Sequence, residues 1–147
     1  MRILIDGDAC PVLAETEEVV SEFNCELIIY TDLSHNIKSE IGQVIYLERA
    51  NQSVDMVLYN NCRKGDLVIT QDYGLAALVL GKKAMAIDHY AKHYTEDNID
   101  HLLLTRHINY KIRRSGGKHP SNSKRKKEDN QNFKKALYKL IENHHQN

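Results

Sequence analysis

The sequence predicts an α/β fold of three layers, with helices on both faces of a mostly parallel sheet of about five strands. Short aliphatic runs, each ended by a turn signal, are typical of strands that are covered on both faces. Amphipathic stretches of about ten residues separate these runs, and such an alternation forms parallel βαβ units. The 147 residues are enough to bury a core of this size.

Five runs are predicted to be strands, and the aliphatic run at 66–70 is the clearest of them. The first run is followed at once by two carboxylates, in Asp6-Gly7-Asp8-Ala9-Cys10-Pro11, and Pro11 is expected to open a helix. Asp32, after the second run, is expected to act as a turn residue. The predicted strands are 2–5, 26–30, 43–47, 66–70 and 83–87.

Helices are predicted between the strands and after the last one. Asn24 is expected to end the first helix, and either Asn51 or Ser53 to cap the second, which should close at Lys64-Gly65. A later helix begins near Asn98 and becomes basic as it proceeds. The predicted organisation is an α/β domain over 1–112, a basic mobile loop over 113–127 and a C-terminal helical extension over 128–147.

The formal net charge of zero conceals a strong asymmetry along the chain. Residues 1–100 carry a net charge of −9 and residues 101–147 a net charge of +9. Such an asymmetry favours an anionic partner, and we expect nucleic acid, with RNA ahead of DNA. The alternative is a solvated run of charges without a partner. The candidate nucleic-acid-binding residues are Arg106, Lys111, Arg113, Arg114, Lys118, Lys124, Arg125, Lys126 and Lys127.

The cysteines and the apolar runs bear on where the protein is found. The three cysteines are widely spaced and form no Cys-x-x-Cys pair, which is typical of a reducing, cytoplasmic setting. No apolar run is long enough for a membrane span, and Asp6 and Asp8 interrupt what would be the core of a secretory signal. The histidines at 35, 89, 93 and 101 are expected to be solvent-exposed bystanders.

Three acidic positions are expected to converge at the carboxyl edge of the sheet. Asp6 ends the first strand, Asp72 follows the fourth, and Asp55 lies in the first turn of the helix before that strand. Oxygen ligands without histidine or cysteine indicate Mg²⁺ or Mn²⁺, which can support phosphodiester hydrolysis. Two alternatives stay open: Asp8 as the cap of the following helix, and Asp55 as a residue that only favours a helix N-terminus.

Several strings of the sequence resemble one protein family. They are Ile3-Leu-Ile-Asp-Gly-Asp-Ala-Cys-Pro-Val12, Ser53-Val-Asp55, Lys64-Gly-Asp-Leu-Val-Ile-Thr-Gln-Asp-Tyr-Gly-Leu-Ala76 and Arg113-Arg-Ser-Gly-Gly117. Together they resemble the bacterial YaiI/YqxD family, also called UPF0178 or DUF188. That family is grouped with PIN-like domains, whose active members are Mg²⁺- or Mn²⁺-dependent nucleases.

The resemblance implies a PIN-like fold and assigns roles to particular residues. Asp6, Asp55 and Asp72 would be the catalytic, metal-binding acids, with Thr70 just before the last of them. Many PIN nucleases carry a further acid shortly after the fourth-strand acid, whereas residues 73–75 are Tyr-Gly-Leu. Asp8 would then stand in as a fourth metal ligand.

Three functions are compatible with these residues. The first is a metal-dependent nuclease that acts on RNA or DNA, and the second is a nucleic-acid-binding module without catalytic activity. The third is a phosphatase of the haloacid-dehalogenase type, because Asp6-x-Asp8 after a strand resembles its nucleophile and acid/base pair. Cys10 stands where that type normally has Thr or Val, and its downstream glycine-aspartate motif is absent, because Gly65-Asp66 precedes its strand.

Overall fold

The computed structural model describes residues 1–8, 10–48, 53–117 and 124–146. Five strands form one sheet in the order β3-β2-β1-β4-β5, and each neighbouring pair is parallel. The strands are β1 (Arg2–Asp6), β2 (Glu26–Asp32), β3 (Gln43–Leu47), β4 (Leu67–Ile69) and β5 (Met85–Ile87). The helices are α1 (Leu13–Phe23), α2 (Val54–Asn61), α3 (Tyr73–Gly81), α4 (Glu96–Arg114) and α5 (Lys127–Gln146).

The central strand β1 divides the core into two halves. Its side chains alternate between the faces of the sheet, as the period of a strand requires. Ile3 and Ile5 pack with apolar residues of α1 and α5. Leu4 packs on the opposite face with residues of α2, α3 and α4. The predicted three-layer α/β/α fold with a five-stranded parallel sheet is therefore confirmed.

The last helix, α5, completes one of the two helical layers. Phe133, Leu137 and Ile141 lie one turn apart along its inner face, and all three are fully buried. They belong to the same apolar cluster as Val19 and Val20 of α1. In the part of the chain that the structure describes, no helix is both long and apolar enough to cross a membrane.

The predicted ends of the helices are partly right. Ser53 caps α2 by accepting the Met56 N–H, and Asn24 ends α1 in the left-handed conformation. The prediction that α2 closes at Lys64-Gly65 is wrong, because the chain is already extended at Cys62. Gly65, with a φ of +88°, instead forms the turn that leads into β4. Asn51, the alternative cap, lies outside the described residues.

Two other helix starts differ from the prediction. Pro11 lies in a turn, and α1 begins at Leu13, so the helix does not open on the proline. The last helix begins at Lys127, one residue before its predicted acidic first turn of Glu128 and Asp129.

Candidate metal and nucleic-acid site

The ends of β1 and β4 are joined through Thr70. These two strands are parallel neighbours, so their carboxyl ends lie at the same edge of the sheet. The Thr70 hydroxyl donates a hydrogen bond to Oδ2 of Asp6 at 3.3 Å. The same hydroxyl oxygen accepts the backbone N–H of Asp72 at 3.0 Å. Thr70 thus ties Asp6 to the backbone of Asp72, two of the acids predicted to converge.

Asp72 has a structural task as well as its place at the sheet edge. It is the N-cap of α3, and its Oδ1 accepts the N–H groups of Gly74 and Leu75 at 2.9 and 3.2 Å. These bonds satisfy two amide donors that the first turn of a helix leaves free. They also hold the carboxylate in one orientation at the edge of the sheet.

Asp55 lies against Asp72. Burial, a hydrogen bond with Asp72 and the negative charges of Asp72, Asp6 and Asp8 raise the pKa of Asp55 to about 6. Burial also raises the pKa of Asp6, and the charges of Asp8 and Asp72 raise it further. Carboxylates shift in this direction when they are crowded together away from water. The four acidic residues predicted from the sequence therefore lie within electrostatic reach of one another.

Asp8 does not cap the following helix. The N-cap of α1 is Val12, and no side chain of the described residues caps this helix. The Oδ1 atom of Asp8 is enclosed and has no hydrogen-bond partner among the described residues. It lies 3.4 Å from Nε2 of His35, which in turn lies 4.0 Å from Oδ1 of Asp32. The alternative interpretation of Asp8 as a helix cap is therefore wrong.

Asp8, Asp32 and His35 form a close group that the sequence analysis missed. Within the described ranges, this is the set of three side chains whose ligand atoms all lie within 4.8 Å of one another, and Asp6, Asp55 and Asp72 are not part of it. Asp32 does act as a turn residue, since its Oδ1 accepts the N–H of Ser34 at 2.8 Å. The sequence feature that could have indicated this group is the position of Asp32 at the end of β2, the strand next to β1.

An arginine of α4 lies beside the acidic group. Nη1 of Arg106 is 3.6 Å from Oδ1 of Asp72. Arg106 and Arg113 line a groove along the same helix, together with Leu103, His107 and Tyr110. Lys111 and Arg114 are exposed on this helix. The basic half of α4 thus begins beside one of the predicted metal ligands.

The basic residues around the start of α5 are not equivalent. Arg125 donates to the carbonyl of His89 and to Oδ1 of Asn130, each at 2.6 Å, and its guanidinium lies 4.6 Å from the Tyr90 ring centroid. Its side chain therefore joins the start of α5 to the turn after β5. Lys124, Lys126 and Lys127 are exposed, and Lys118 lies outside the described residues.

The expectation that His89 is a solvent-exposed bystander is wrong. The residue is only 6% exposed, and its Nε2 has no hydrogen-bond partner within the described ranges. Burial and the neighbouring Arg125 lower its pKa to about 4. His89 is therefore a buried, neutral residue of the turn after β5, and Arg125 donates to its carbonyl.

Comparisons with known proteins cover nearly the whole chain. The family described as "Uncharacterized BCR, YaiI/YqxD family" matches residues 4–143. A UPF0178 protein of Clostridium tetani is 51% identical over 141 residues, covering 96% of this chain and 97% of the relative. A UPF0178 protein of Natranaerobius thermophilus is 45% identical over 141 residues, covering 96% of each.

A solved structure is similar in fold. It is the crystal structure of Rae1 (YacP) from Bacillus subtilis, in its W164L mutant form, with a TM-score of 0.50. The alignment covers 82% of this chain and 86% of that one at 16% sequence identity. The likeness is therefore one of fold, and it agrees with the five-stranded α/β architecture.

Proposed function

The chain belongs to the YaiI/YqxD family, and we propose that it is a nuclease that uses Mg²⁺ or Mn²⁺ to cleave phosphodiester bonds of nucleic acid, with RNA as its expected substrate. The observation that carries the proposal is the placement of three acids together at the carboxyl edge of the sheet, where Thr70 ties Asp6 to the backbone of Asp72 and Asp55 lies against Asp72. Ligands of open α/β sheets bind at this edge.

The side chains present fit a hard divalent cation. The donors are carboxylate oxygens, which Mg²⁺ and Mn²⁺ prefer; Oδ1 of Asp8 is enclosed, has no hydrogen-bond partner among the described residues and faces Nε2 of His35 at 3.4 Å. Asp6, Asp55 and Asp72 would hold the ion, with Asp8 as a further ligand. When bound, such an ion supplies a hydroxide nucleophile near neutral pH and stabilises the leaving oxygen.

Residues of the chain would position the reacting groups. Thr70 holds Asp6 through its hydroxyl, and the first amides of α3 hold Asp72. Arg106 places a positive charge beside Asp72, where it could bind an oxygen of the scissile phosphate. Asp6 and Asp72 are held in place before any reaction, and groups positioned in this way need little rearrangement, which is why they lower the barrier.

The basic residues would recruit the substrate. Lys111, Arg113 and Arg114 are exposed toward the end of α4, and Arg106 joins their helix to the acidic group. Contacts with phosphates release counterions, so binding to single-stranded RNA should weaken steeply as salt is added. Binding that does not depend on salt would contradict this role.

The direct test is cleavage of labelled single-stranded RNA and DNA with and without Mn²⁺. We expect Mn²⁺-dependent cleavage by the wild type and its loss in Asp6→Asn and Asp72→Asn. Asp100→Asn, which changes an exposed carboxylate of α4, is the matched control and should cleave normally. Mn²⁺ should also raise the melting temperature of the wild type and of Asp100→Asn more than that of the other two variants.

One result would favour the second candidate, a nucleic-acid-binding module without catalytic activity. Residues 73–75 offer no further acid after Asp72, which is the specific departure from the PIN pattern that supports this alternative. The result would be salt-dependent binding of RNA, with no cleavage under Mg²⁺ or Mn²⁺ and no metal-dependent stabilisation. It would contradict the nuclease proposal and support the binding module.

A further inference from the structure

A cleft opens beside Asp72, between the turn that follows β5 and the start of α5. Its lining includes Gln71, Tyr73, Asp88, Tyr90, Lys124 and Lys126. Its volume of about 610 Å³ is in the range of small-molecule sites. Gln71 and Tyr73 are the immediate chain neighbours of Asp72, so the cleft adjoins one of the predicted metal ligands.

Tyr90 presents a rigid aromatic surface in this cleft. The residue is 50% exposed, and the guanidinium of Arg125 lies over its ring. Arg125 is itself fixed by the His89 carbonyl and by Asn130. Oδ1 of Asp88 accepts the N–H groups of Tyr90 and Lys92 at 2.8 and 2.9 Å, which holds the turn. A ring that is already fixed loses little entropy when a planar ligand stacks on it.

The polar groups of the cleft suit a nucleobase better than a bare phosphate. Oε1 of Gln71 accepts the N–H of His89 at 3.3 Å, which leaves its amide NH₂ available as a donor. The carboxylates of Asp88, Glu128 and Asp129 also line the cleft, and they would repel a phosphate inside it. Lys124 and Lys126 are exposed and can contact the phosphates that flank a base.

We infer that this cleft binds one unpaired nucleobase of a single-stranded nucleic acid, stacked on Tyr90, next to the phosphate that lies at Asp72. The inference rests on the proposed function for the position of that phosphate. Arg106, which lies 3.6 Å from Asp72, also lines the groove along α4, so a strand that occupies both the cleft and the groove would pass Asp72. Only an unpaired base can be splayed out for such stacking.

The test is fluorescence anisotropy of labelled single-stranded RNA, single-stranded DNA and duplex RNA, measured in EDTA so that nothing is cleaved. Tyr90→Ala should weaken binding of the single strands about tenfold, because stacking of one base is removed, and leave duplex binding unchanged. Tyr90→Phe should retain the wild-type affinity. Tyr46→Ala is the matched control, since Tyr46 is an exposed tyrosine of β3, at the opposite edge of the sheet.

Photocrosslinking of wild-type protein to single strands that carry 5-bromouracil gives a readout without any variant. We expect the crosslinked peptide to contain Tyr90, and the RNA and DNA arms show which sugar is accepted. Crosslinks only elsewhere, or equal affinity of Tyr90→Ala and wild type for single strands, would overturn the inference.

The two proposals can fail separately. Tyr90-dependent binding without metal-dependent cleavage would support the base site and contradict the proposed nuclease activity. Cleavage that needs Asp6 and Asp72, with binding that does not depend on Tyr90, would do the reverse.

Discussion

Nη1 of Arg106 lies 3.6 Å from Oδ1 of Asp72, so a surface cation of α4 rests on the carboxylate that caps α3. The Arg106 side chain is 58% exposed, and ion pairs at such positions contribute at most about 1 kcal/mol to folding. Stability alone therefore gives little reason for an arginine here. A role in binding substrate explains the arginine better, because its guanidinium can exchange the Asp72 carboxylate for a phosphate oxygen.

We accordingly expect Arg106→Ala to impair cleavage far more than folding. Loss of one positive charge that contacts a transition state typically lowers kcat by about 100-fold. Lys111→Ala, which removes an exposed cation of the same helix, is the control and should mainly raise KM. Single-turnover rates and thermal melts of both variants check this, and equal effects of the two substitutions on kcat would contradict the assigned position of Arg106.

Asp72 allows its structural and chemical tasks to be separated. Asp72→Ala removes the N-cap of α3 and should lower the free energy of unfolding by about 1 kcal/mol. Asp72→Asn keeps an oxygen that can accept the amides of Gly74 and Leu75, and it removes the charge that repels Asp55. We therefore expect the Asn variant to be at least as stable as the wild type at pH 7.5, although neither variant should cleave.

Chemical denaturation at pH 7.5 measures this difference. The comparison should be made without divalent metal, because a bound cation would favour the wild type alone. A loss of stability in Asp72→Asn as large as that in Asp72→Ala would show that the carboxylate charge itself, rather than the capping oxygen, stabilises α3.

The sequence was sufficient for the five strands and for the positions of two acids at the edge of the sheet. The aliphatic runs predicted all five strands because buried parallel strands have a composition of their own. Asp6 and Asp72 were predictable because each follows such a run. The group of Asp8, Asp32 and His35 was not, since it depends on which strand lies beside β1 and on β2 continuing to Asp32.

The basic segment shows a second limit of sequence reasoning. Lys124, Arg125 and Lys126 are consecutive cations with nothing to distinguish them in one dimension. In the fold, only Arg125 meets the His89 carbonyl, Asn130 and the ring of Tyr90. Its planar guanidinium can make these three contacts at once, which an ammonium group cannot. A contact between distant segments therefore separates a structural arginine from its solvated neighbours.

Burial of His89 should make the protein sensitive to acid. The folded chain holds the pKa of this imidazole at about 4, against an ordinary value of 6.5. The unfolded chain takes up the proton more readily than the folded one. The free energy of unfolding is therefore unaffected by His89 protonation above pH 6.5, and it decreases as the pH falls toward 4. The loss is on the order of 3 kcal/mol at most.

The variant His89→Leu isolates this effect. It cannot take up a proton, so the stability difference between wild type and variant should shift in favour of the variant between pH 6.5 and 4. Comparing the two proteins matters because Asp6 and Asp55, whose pKa values are raised, act in the opposite direction in both. Denaturation curves across this window check the prediction, and parallel pH profiles would contradict it.

Phe133 tests how far the fold depends on its last helix. Its ring is fully buried between α5, α1 and the sheet, in the cluster that includes Ile3 and Ile5 of β1. Phe133→Ala would leave a cavity there, and such substitutions cost about 3–5 kcal/mol. Lys135→Ala, two residues on and exposed, should change stability by less than about 0.5 kcal/mol. Urea denaturation compares them, and a small loss for Phe133→Ala would mean that the sheet and α1 fold without support from α5.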